Sequence, residues 1–198
     1  MSRMTRVEGR ARRVLASLAV VGLVGAVAGL GAYSAFTSTT SNDGNTYAAG
    51  TVSISDNDAG AAMYTVSNKK PGDTITQCIK VTYTGSVDSD VKLYTSSTIG
   101  SLGQYIDLQV RPGSGNPTFP GCTGFVADAA DLYNGTLGSF PTSSATGILD
   151  SGPGSNTKWV ASDAVVYRFT LTLQASAPDA AQNTSTGSHA FTWEARNT

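Results

Sequence analysis

The sequence predicts an all-β protein, an antiparallel two-sheet sandwich of jelly-roll type with a short helix and long loops. At least six segments after residue 50 alternate apolar and polar residues with period two, as strands with one buried face do. Clusters of Gly, Pro, Asn and Ser separate these segments and indicate turns. Thr and Ser are frequent on both faces of most segments, which is typical of sheets with solvated outer faces.

The segment that precedes this β-pattern has the layout of a secretory signal peptide. Residues 1–13 carry five arginines and one glutamate, and residues 14–32 are uncharged and rich in Gly and Ala. Ala32 and Ser34 supply the small side chains that signal peptidase needs if it cuts between Ser34 and Ala35. The alternative is a retained membrane anchor, because the apolar run is nearly long enough to span a bilayer. We therefore divide the chain into a signal peptide (1–34), a flexible N-terminal segment (35–44) and a β-sandwich domain (45–198).

Composition narrows the classes of partner. Cleavage after Ser34 leaves 164 residues, enough for one domain with a core. Five of the 13 basic and one of the 14 acidic residues lie in residues 1–34, so the remaining chain carries 8 basic and 13 acidic residues and a net charge of −5. A mildly acidic domain with scattered basic residues does not predict nucleic-acid binding. Membrane contact is expected only through an uncleaved signal peptide.

Cys78 and Cys122, the two cysteines of the chain, predict a disulfide, because exported proteins fold in an oxidising environment. The alternative is two unpaired thiols. Neither cysteine has a second Cys or a His nearby in the sequence, so the spacing does not suggest a metal site. Cys78 falls on the more polar face of its predicted strand, so we expect the disulfide to hold an outer loop against the sheet.

The strands are predicted in order from their apolar faces. The first turns Val52 and Ile54 inward, and the last turns Phe191 and Trp193 inward. The longest are residues 74–83 and 165–173, and shorter strands are expected around residues 91–93 and 106–110. The inward residues of the two long strands are Ile75, Ile79, Val81, Tyr83, Val165, Tyr167, Phe169, Leu171 and Leu173.

Three connecting segments have distinct predictions. Lys70–Asp73 suits a type II turn, because Pro71 fixes φ and Gly72 accepts a positive φ. Residues 127–133 are predicted to form the short helix, which ends near Asn134 and Gly135. Residues 139–157 are rich in Gly, Ser and Pro and are predicted to be a loop.

The sequence offers no catalytic constellation. His189 is the only histidine, so the two-histidine helical motif of zinc proteases is missing, and no Gly-x-Ser-x-Gly motif is present. We interpret His189 as an exposed residue at a strand edge. Asp56–Asp58 has the clustered oxygens of a calcium loop but lacks the later Glu of an EF-hand, and the alternative is a hairpin turn. We predict no catalytic residue, no metal site, no cofactor and no enzymatic activity.

Several blocks of the chain resemble the TasA and camelysin family of exported bacterial proteins. Residues 31–36 (GAYSAF) resemble the family's signal junction, and residues 45–52 (NTYAAGTV) look like its N-T-F-x-A-G-T-L opening strand. Residues 70–86 are similar to its second block, and residues 188–195 (SHAFTWEA) to its closing strand. The order of these blocks spans nearly the whole chain after the signal.

The resemblance implies a jelly-roll fold and a secreted structural subunit of biofilm fibres, in the extracellular matrix or at the cell surface. The segment freed at Ala35 would then be a donor strand that enters a neighbouring subunit; its candidate residues are Phe36, Thr37, Ser38 and Thr39. The implied partners are other copies of the chain, signal peptidase and other matrix proteins. The chain departs from the family pattern in its cysteine pair and in having only Phe36 as a large apolar residue in this segment.

Two other functions remain open. The first is a monomeric surface-binding module that uses exposed aromatic residues, for which Tyr94, Tyr105 and Trp159 are candidates. The second is a metallopeptidase, as camelysins have been classed; the lack of a metal-ligand cluster in the sequence argues against it.

Overall fold

The computed structural model describes residues 48–128, 130–154 and 156–197. The predicted cleavage site at Ser34 and Ala35 and the candidate donor residues 36–39 lie outside these ranges, as does the apolar run at residues 14–32. The described part of the chain contains no helix long and apolar enough to cross a membrane. Its strands are β1 (Ile54–Asp56), β2 (Thr74–Tyr83), β3 (Ser89–Thr95), β4 (Ile106–Ser114), β5 (Val126–Ala127), β6 (Tyr133–Thr136), β7 (Ile148–Asp150), β8 (Ala164–Leu173) and β9 (Phe191–Asn197).

The strands form two antiparallel sheets, which confirms the all-β sandwich. The large sheet has the order β1-β2-β8-β4-β5, and β6 also pairs with β4. Its centre is the ladder of the two long predicted strands, in which Thr74 lies opposite Thr172 and Thr82 opposite Ala164. The small sheet has the order β7-β3-β9, and β3 pairs with β9 along its whole length.

The core lies between the sheets and contains the residues that the period-two pattern turned inward. The large sheet contributes alternate residues of β2, β4 and β8, and the small sheet contributes Val91 and Leu93 of β3. Phe191 and Trp193 of β9 are half-buried against this cluster. Val52 and Leu173 are exceptions, because Val52 precedes β1 and is 39% exposed and Leu173, at the end of β8, lies outside this cluster. Ile54 packs on the core as predicted.

The Lys70–Asp73 turn is also confirmed. The Asp73 N–H donates to the Lys70 carbonyl at 2.9 Å, and Gly72 has a φ of +92°. A residue with a side chain is strained at that φ, which explains why glycine stands there.

The predicted helix at residues 127–133 is wrong. Val126–Ala127 and Tyr133–Thr136 pair with β4 instead. Between them the Leu132 N–H donates to the Val110 carbonyl at 2.8 Å, and Asp131 accepts hydrogen bonds from Gln109 at 2.8 Å and Arg111 at 2.5 Å. Side chains and carbonyls of β4 therefore bind this segment in an extended course, a tertiary preference that outweighs a weak local helix propensity.

The segment 139–157 is not the uninterrupted loop that its composition predicted. Residues Ile148–Asp150 form β7, which pairs with Val91–Leu93 of β3 and completes one side of the small sheet. The short helical turns of the described chain are 3₁₀ turns at Ser101–Tyr105, Leu137–Ser139 and Asp179–Ala181.

Candidate functional site: the groove beside β9

The outer edge of β9 is the feature of the sandwich best suited to bind another chain. On one side β9 pairs with β3 from Ser89↔Asn197 to Thr95↔Phe191. On its other side, no residue of the described ranges pairs with it. A seven-residue strand with one unpaired row of N–H and C=O groups is a template for a further strand.

The side chains of β9 divide cleanly between its two faces. Phe191 packs against Phe169 with ring centroids 4.5 Å apart, and Trp193 packs against Tyr167 at 5.2 Å. On the outer face Glu194 binds Arg196 and accepts a hydrogen bond from the Tyr94 hydroxyl at 2.9 Å. The hydrogen bond from Tyr94, followed by that from Arg196, lowers the pKa of Glu194. The inner face is therefore apolar, and the outer face carries a neutralised pair of charges.

Two cavities that share lining residues lie on the inner side of this edge, one against β9 and the other at the ends of β2, β4 and β8, and together we call them the β9 groove. The first has a volume of about 570 Å³ and is lined by residues including Met63, Tyr64, Ile79, His189, Phe191 and Trp193. The second has a volume of about 520 Å³ and is lined by residues including Ile75, Ile106, Leu137, Leu171 and Leu173. Tyr64 and Val66 line both cavities, so the chain segment that contains these two residues lies between the two halves of the groove.

The segment that separates the cavities is residues 61–69, which we call the strap. It contains no strand or helix, and its Met63 and Tyr64 side chains are half-buried against the core. The Tyr64 hydroxyl lies 2.6 Å from Nε2 of His189, whose Nδ1 lies 3.1 Å from the Gly187 carbonyl. Because a carbonyl can only accept, Nδ1 carries the hydrogen in the neutral ring and Nε2 accepts from Tyr64. Burial raises the pKa of Tyr64, which keeps its phenol protonated.

His189 is thus a half-buried bridge between the strap and the start of β9, rather than the exposed edge residue predicted. Its ring also packs edge-on against Phe191, with centroids 5.8 Å apart. The sequence could not reveal this bridge, because the neighbour of His189 in space, Tyr64, is 125 residues away in the chain.

The corresponding edge of the large sheet is covered. β1 pairs with Val81–Tyr83 of β2. The Asn57 side chain accepts from the Lys80 N–H at 2.8 Å, and the Asn57 N–H donates to the Lys80 carbonyl at 3.1 Å. The Cys78 N–H donates to the Pro120 carbonyl at 2.8 Å. These contacts leave little of this edge available for another strand.

The disulfide holds that cover in place. Cys78 and Cys122 are joined, with their Cα atoms 5.1 Å apart, as the export segment predicted. Cys78 is buried but lies outside the core cluster, which agrees with a bond between the sheet and an outer loop. In the same region the Arg168 guanidinium lies 5.0 Å from the centre of the Phe125 ring.

The Asp56–Asp58 segment forms a tight turn after β1, but not the hairpin turn that was the alternative to a calcium loop, because the next strand begins only at Thr74. Asp56 accepts from the Asp58 N–H at 3.1 Å, and Asp58 accepts from the Gly60 N–H at 2.6 Å. Burial raises the pKa of Asp56, and the Asp58 carboxylate adds to the increase. Across the described ranges no three His, Cys, Asp or Glu side chains lie where they could share a metal ion.

The three aromatic candidates do not form one exposed face. Trp159 is fully buried, and its indole N–H donates to the Asp150 carbonyl at 3.0 Å. Tyr94 and Tyr105 are half-buried. This arrangement gives no support to a binding module built on these residues.

A buried carboxylate that sequence reasoning missed lies at the end of β7. Asp150 is 6% exposed and accepts hydrogen bonds from the Tyr167 hydroxyl at 2.5 Å and from the Gly152 N–H at 2.8 Å. Burial raises the pKa of Asp150 more strongly than these two bonds lower it. Burial likewise raises the pKa of Tyr167, and the neighbouring carboxylate adds to the increase. Asp150 lies in a Gly- and Ser-rich run of the sequence, and that run gave no sign that the residue is buried.

Comparison of the sequence with known proteins tests the resemblance to the camelysin and TasA family. A model of the family described as camelysin metallo-endopeptidase matches residues 11–106. No curated protein matches the chain closely. The matched range includes the signal junction and the blocks at residues 45–52 and 70–86, whereas the block at 188–195 lies beyond it. The resemblance to the camelysin and TasA family noted in the sequence is therefore confirmed over residues 11–106.

Proposed function

We propose that the chain is a secreted structural subunit of an extracellular fibre, in which residues 35–44 of one subunit add as a strand to β9 of the next. The observation that carries the proposal is the unpaired edge of β9, which opens onto a groove with Phe191 and Trp193 in its wall. An added strand gains main-chain hydrogen bonds from the edge and side-chain specificity from the groove. The match to the camelysin family over residues 11–106 agrees with such a role.

The dimensions of the two parts are compatible. A strand rises about 3.3 Å per residue, so ten residues reach about 33 Å and the seven residues of β9 span about 23 Å. Phe36 is the large apolar residue of the donor segment, and Phe191 and Trp193 supply an aromatic wall for it. The remainder of the segment is polar, with Asp43 as its one charged residue, and suits the solvated side of the added strand.

The contact that results is head to tail. The donor segment and the β9 edge are different surfaces, so the contact is heterologous, and if its rotation does not close it produces an open filament. Cleavage between Ser34 and Ala35 would free the donor, which joins export and assembly in one step. The proposed partners are further copies of the chain and signal peptidase, with other matrix proteins as additional candidates in the extracellular matrix or at the cell surface.

Deletion of the donor segment tests the proposal. The secreted protein and a variant that lacks residues 35–44 are purified and compared by electron microscopy and size-exclusion chromatography. We expect fibres from the first and monomers from the second. A Phe36→Ala variant should lengthen the lag or abolish fibres, whereas the matched Thr39→Ala variant should assemble nearly normally. Fibres of the same form from the deleted chain would rule out donor-strand addition.

A second candidate function, peptidase activity, is favoured only by the description of the matching family. We propose that the chain lacks it and predict no cleavage of casein by pure recombinant protein. Casein cleavage that a chelator abolishes and added zinc restores would establish the peptidase instead.

A further inference from the structure

The strap occupies the β9 groove without the backbone bonds that usually hold a segment in place. None of the backbone N–H or C=O groups of residues 62–69 bonds to backbone elsewhere in the described ranges. Residues 61, 62 and 65–69 are exposed, so water can satisfy these backbone groups and the segment can lie there without a partner strand. The strap is therefore held mainly by two side chains, Met63 and Tyr64, and by the bond from Tyr64 to His189.

The ends of the strap are better fixed than its middle. Before it, Asp58 accepts from the Gly60 N–H in the Asp56–Asp58 turn. After it, the Lys70 N–H donates to the Asp73 side chain at 3.0 Å, beside the Lys70–Asp73 turn. Residues 61–69 can therefore leave the groove as one segment while the two turns stay in place.

We infer that the strap occupies the position that the donor segment of a second copy takes, and that Tyr64 holds the place of the donor's Phe36. This inference rests on the proposed donor-strand assembly. In the exchange the strap loses packing and one side-chain hydrogen bond, while the donor restores an aromatic ring and adds the β9 backbone bonds that the strap lacks. The strap thus keeps the aromatic wall of the groove, Phe191 and Trp193, covered until a donor arrives.

Weakening the bond from Tyr64 to His189 tests the inference. Tyr64→Phe keeps the ring and its packing but removes the hydroxyl. Loss of one such bond should raise the initial rate of fibre formation about fivefold, since a hydrogen bond of ordinary strength changes an equilibrium by about that factor. The matched control is Tyr94→Phe, which removes a tyrosine hydroxyl bonded to Glu194 on the outer face of the same sheet and should leave the rate unchanged. An unchanged or slower rate for Tyr64→Phe overturns the inference.

Oxidation of Met63 reports the position of the strap directly. Met63 is the only methionine after residue 34, so peroxide oxidation of the secreted chain adds mass at one methionine. We expect Met63 in fibres to oxidise several-fold faster than in monomers, because the displaced strap leaves the core. Slower oxidation in fibres would mean that the strap stays in the groove beneath the donor, and the inference fails.

The two proposals fail in different ways. If the secreted chain forms no fibres, or if the variant lacking residues 35–44 forms the same fibres, donor-strand assembly is wrong and the inference falls with it. In the other case fibres depend on residues 35–44, but Tyr64→Phe leaves the rate of fibre formation unchanged or lowers it, and Met63 oxidises more slowly in fibres than in monomers. Only the role of the strap is then wrong.

Discussion

On the groove side of the sandwich, the edge of the large sheet is covered, whereas the edge of the small sheet is unpaired. The β2 edge is covered by β1, by Asn57 and by a loop that the Cys78–Cys122 disulfide holds in place. The β9 edge has no pairing partner within the described ranges, contains no proline and faces a groove with Phe191 and Trp193 in its wall. Exposed edges promote uncontrolled association, so covering one and leaving the other free restricts association on this side of the sandwich to β9. Four predictions test this difference, from the largest expected effect to the smallest.

Removal of the disulfide should have the largest effect. In a Cys78→Ala/Cys122→Ala variant, the loss of a cross-link between residues 44 apart in sequence should lower the free energy of unfolding by about 4 kcal/mol on the chain-entropy account. Urea unfolding measures the change, and hydrogen exchange at the Cys78 amide should accelerate as the covering loop loosens. Reduced wild-type protein is the control and should behave like the variant. Equal stability of all three proteins would show that the loop is held without the disulfide.

Asn57→Ala should uncover part of the same edge with a smaller cost. The variant loses the hydrogen bond from the Lys80 N–H, which we expect to cost about 1 kcal/mol. Exchange of the Lys80 amide should become faster, while exchange along the β3–β9 ladder stays the same. Asn156→Ala is a matched control, because Asn156 binds Asp163 away from both edges. Equally fast Lys80 exchange in the control would argue against a specific role for Asn57.

The third substitution, Asp150→Asn, should change how the free energy of unfolding depends on pH. We expect this change to be smaller than the effect of Asn57→Ala. Because burial raises its pKa, the folded state retains a proton that the unfolded state, with a pKa near 3.8, has lost. The contribution of Asp150 is thus most favourable below pH 3.8 and declines as pH rises through the folded pKa. In Asp150→Asn this decline is absent, so the stability of the wild type relative to the variant should be lower at pH 7 than at pH 3.5.

Denaturant unfolding of both proteins at several pH values checks this sign. Asp131 and Glu194 have lowered pKa values, so their contributions are lost as pH falls, but they are present in both proteins and cancel in the difference. A relative stability that rises with pH would contradict the assignment.

Glu194→Gln should have the smallest effect. Its ion pair with Arg196 is largely exposed on the outer face of β9, and such pairs contribute less than about 1 kcal/mol. Thermal unfolding and the rate of fibre formation should both be nearly unchanged. A large loss of assembly would mean that the outer face, and not the groove side of β9, makes the contact.

The strands that the sequence predicted well are the long ones with one buried face. β2, β4 and β8 alternate over enough residues for the period to be visible, and Tyr167 and Phe169 face the core as expected. β7 was missed because three residues within a Gly- and Ser-rich run cannot show a period. The helix predicted at residues 127–133 was wrong because Asp131 and Leu132 bind β4, and those partners lie about 20 residues away in the chain.

The candidate site was only half visible in the sequence. The export junction and Phe36 suggested a donor, but the acceptor is assembled from β2, β8, β9 and the strap. Met63 and Tyr64 are adjacent residues with no period, so the pattern gave no reason to place both against the core. The bond between Tyr64 and His189 joins residues too distant in the chain for any local signal.

The sequence by itself determined the β class and the inward faces of the long strands, and it indicated a signal peptide and the resemblance to the camelysin and TasA family. These properties depend on local composition and on a two-residue period, which need no knowledge of distant residues. Only the tertiary structure decided which edge is covered, which is free and what lies in the groove. Pairing across a sheet and packing between sheets join residues that are far apart in the chain, so the edge left without a partner is known only once every other strand has been placed.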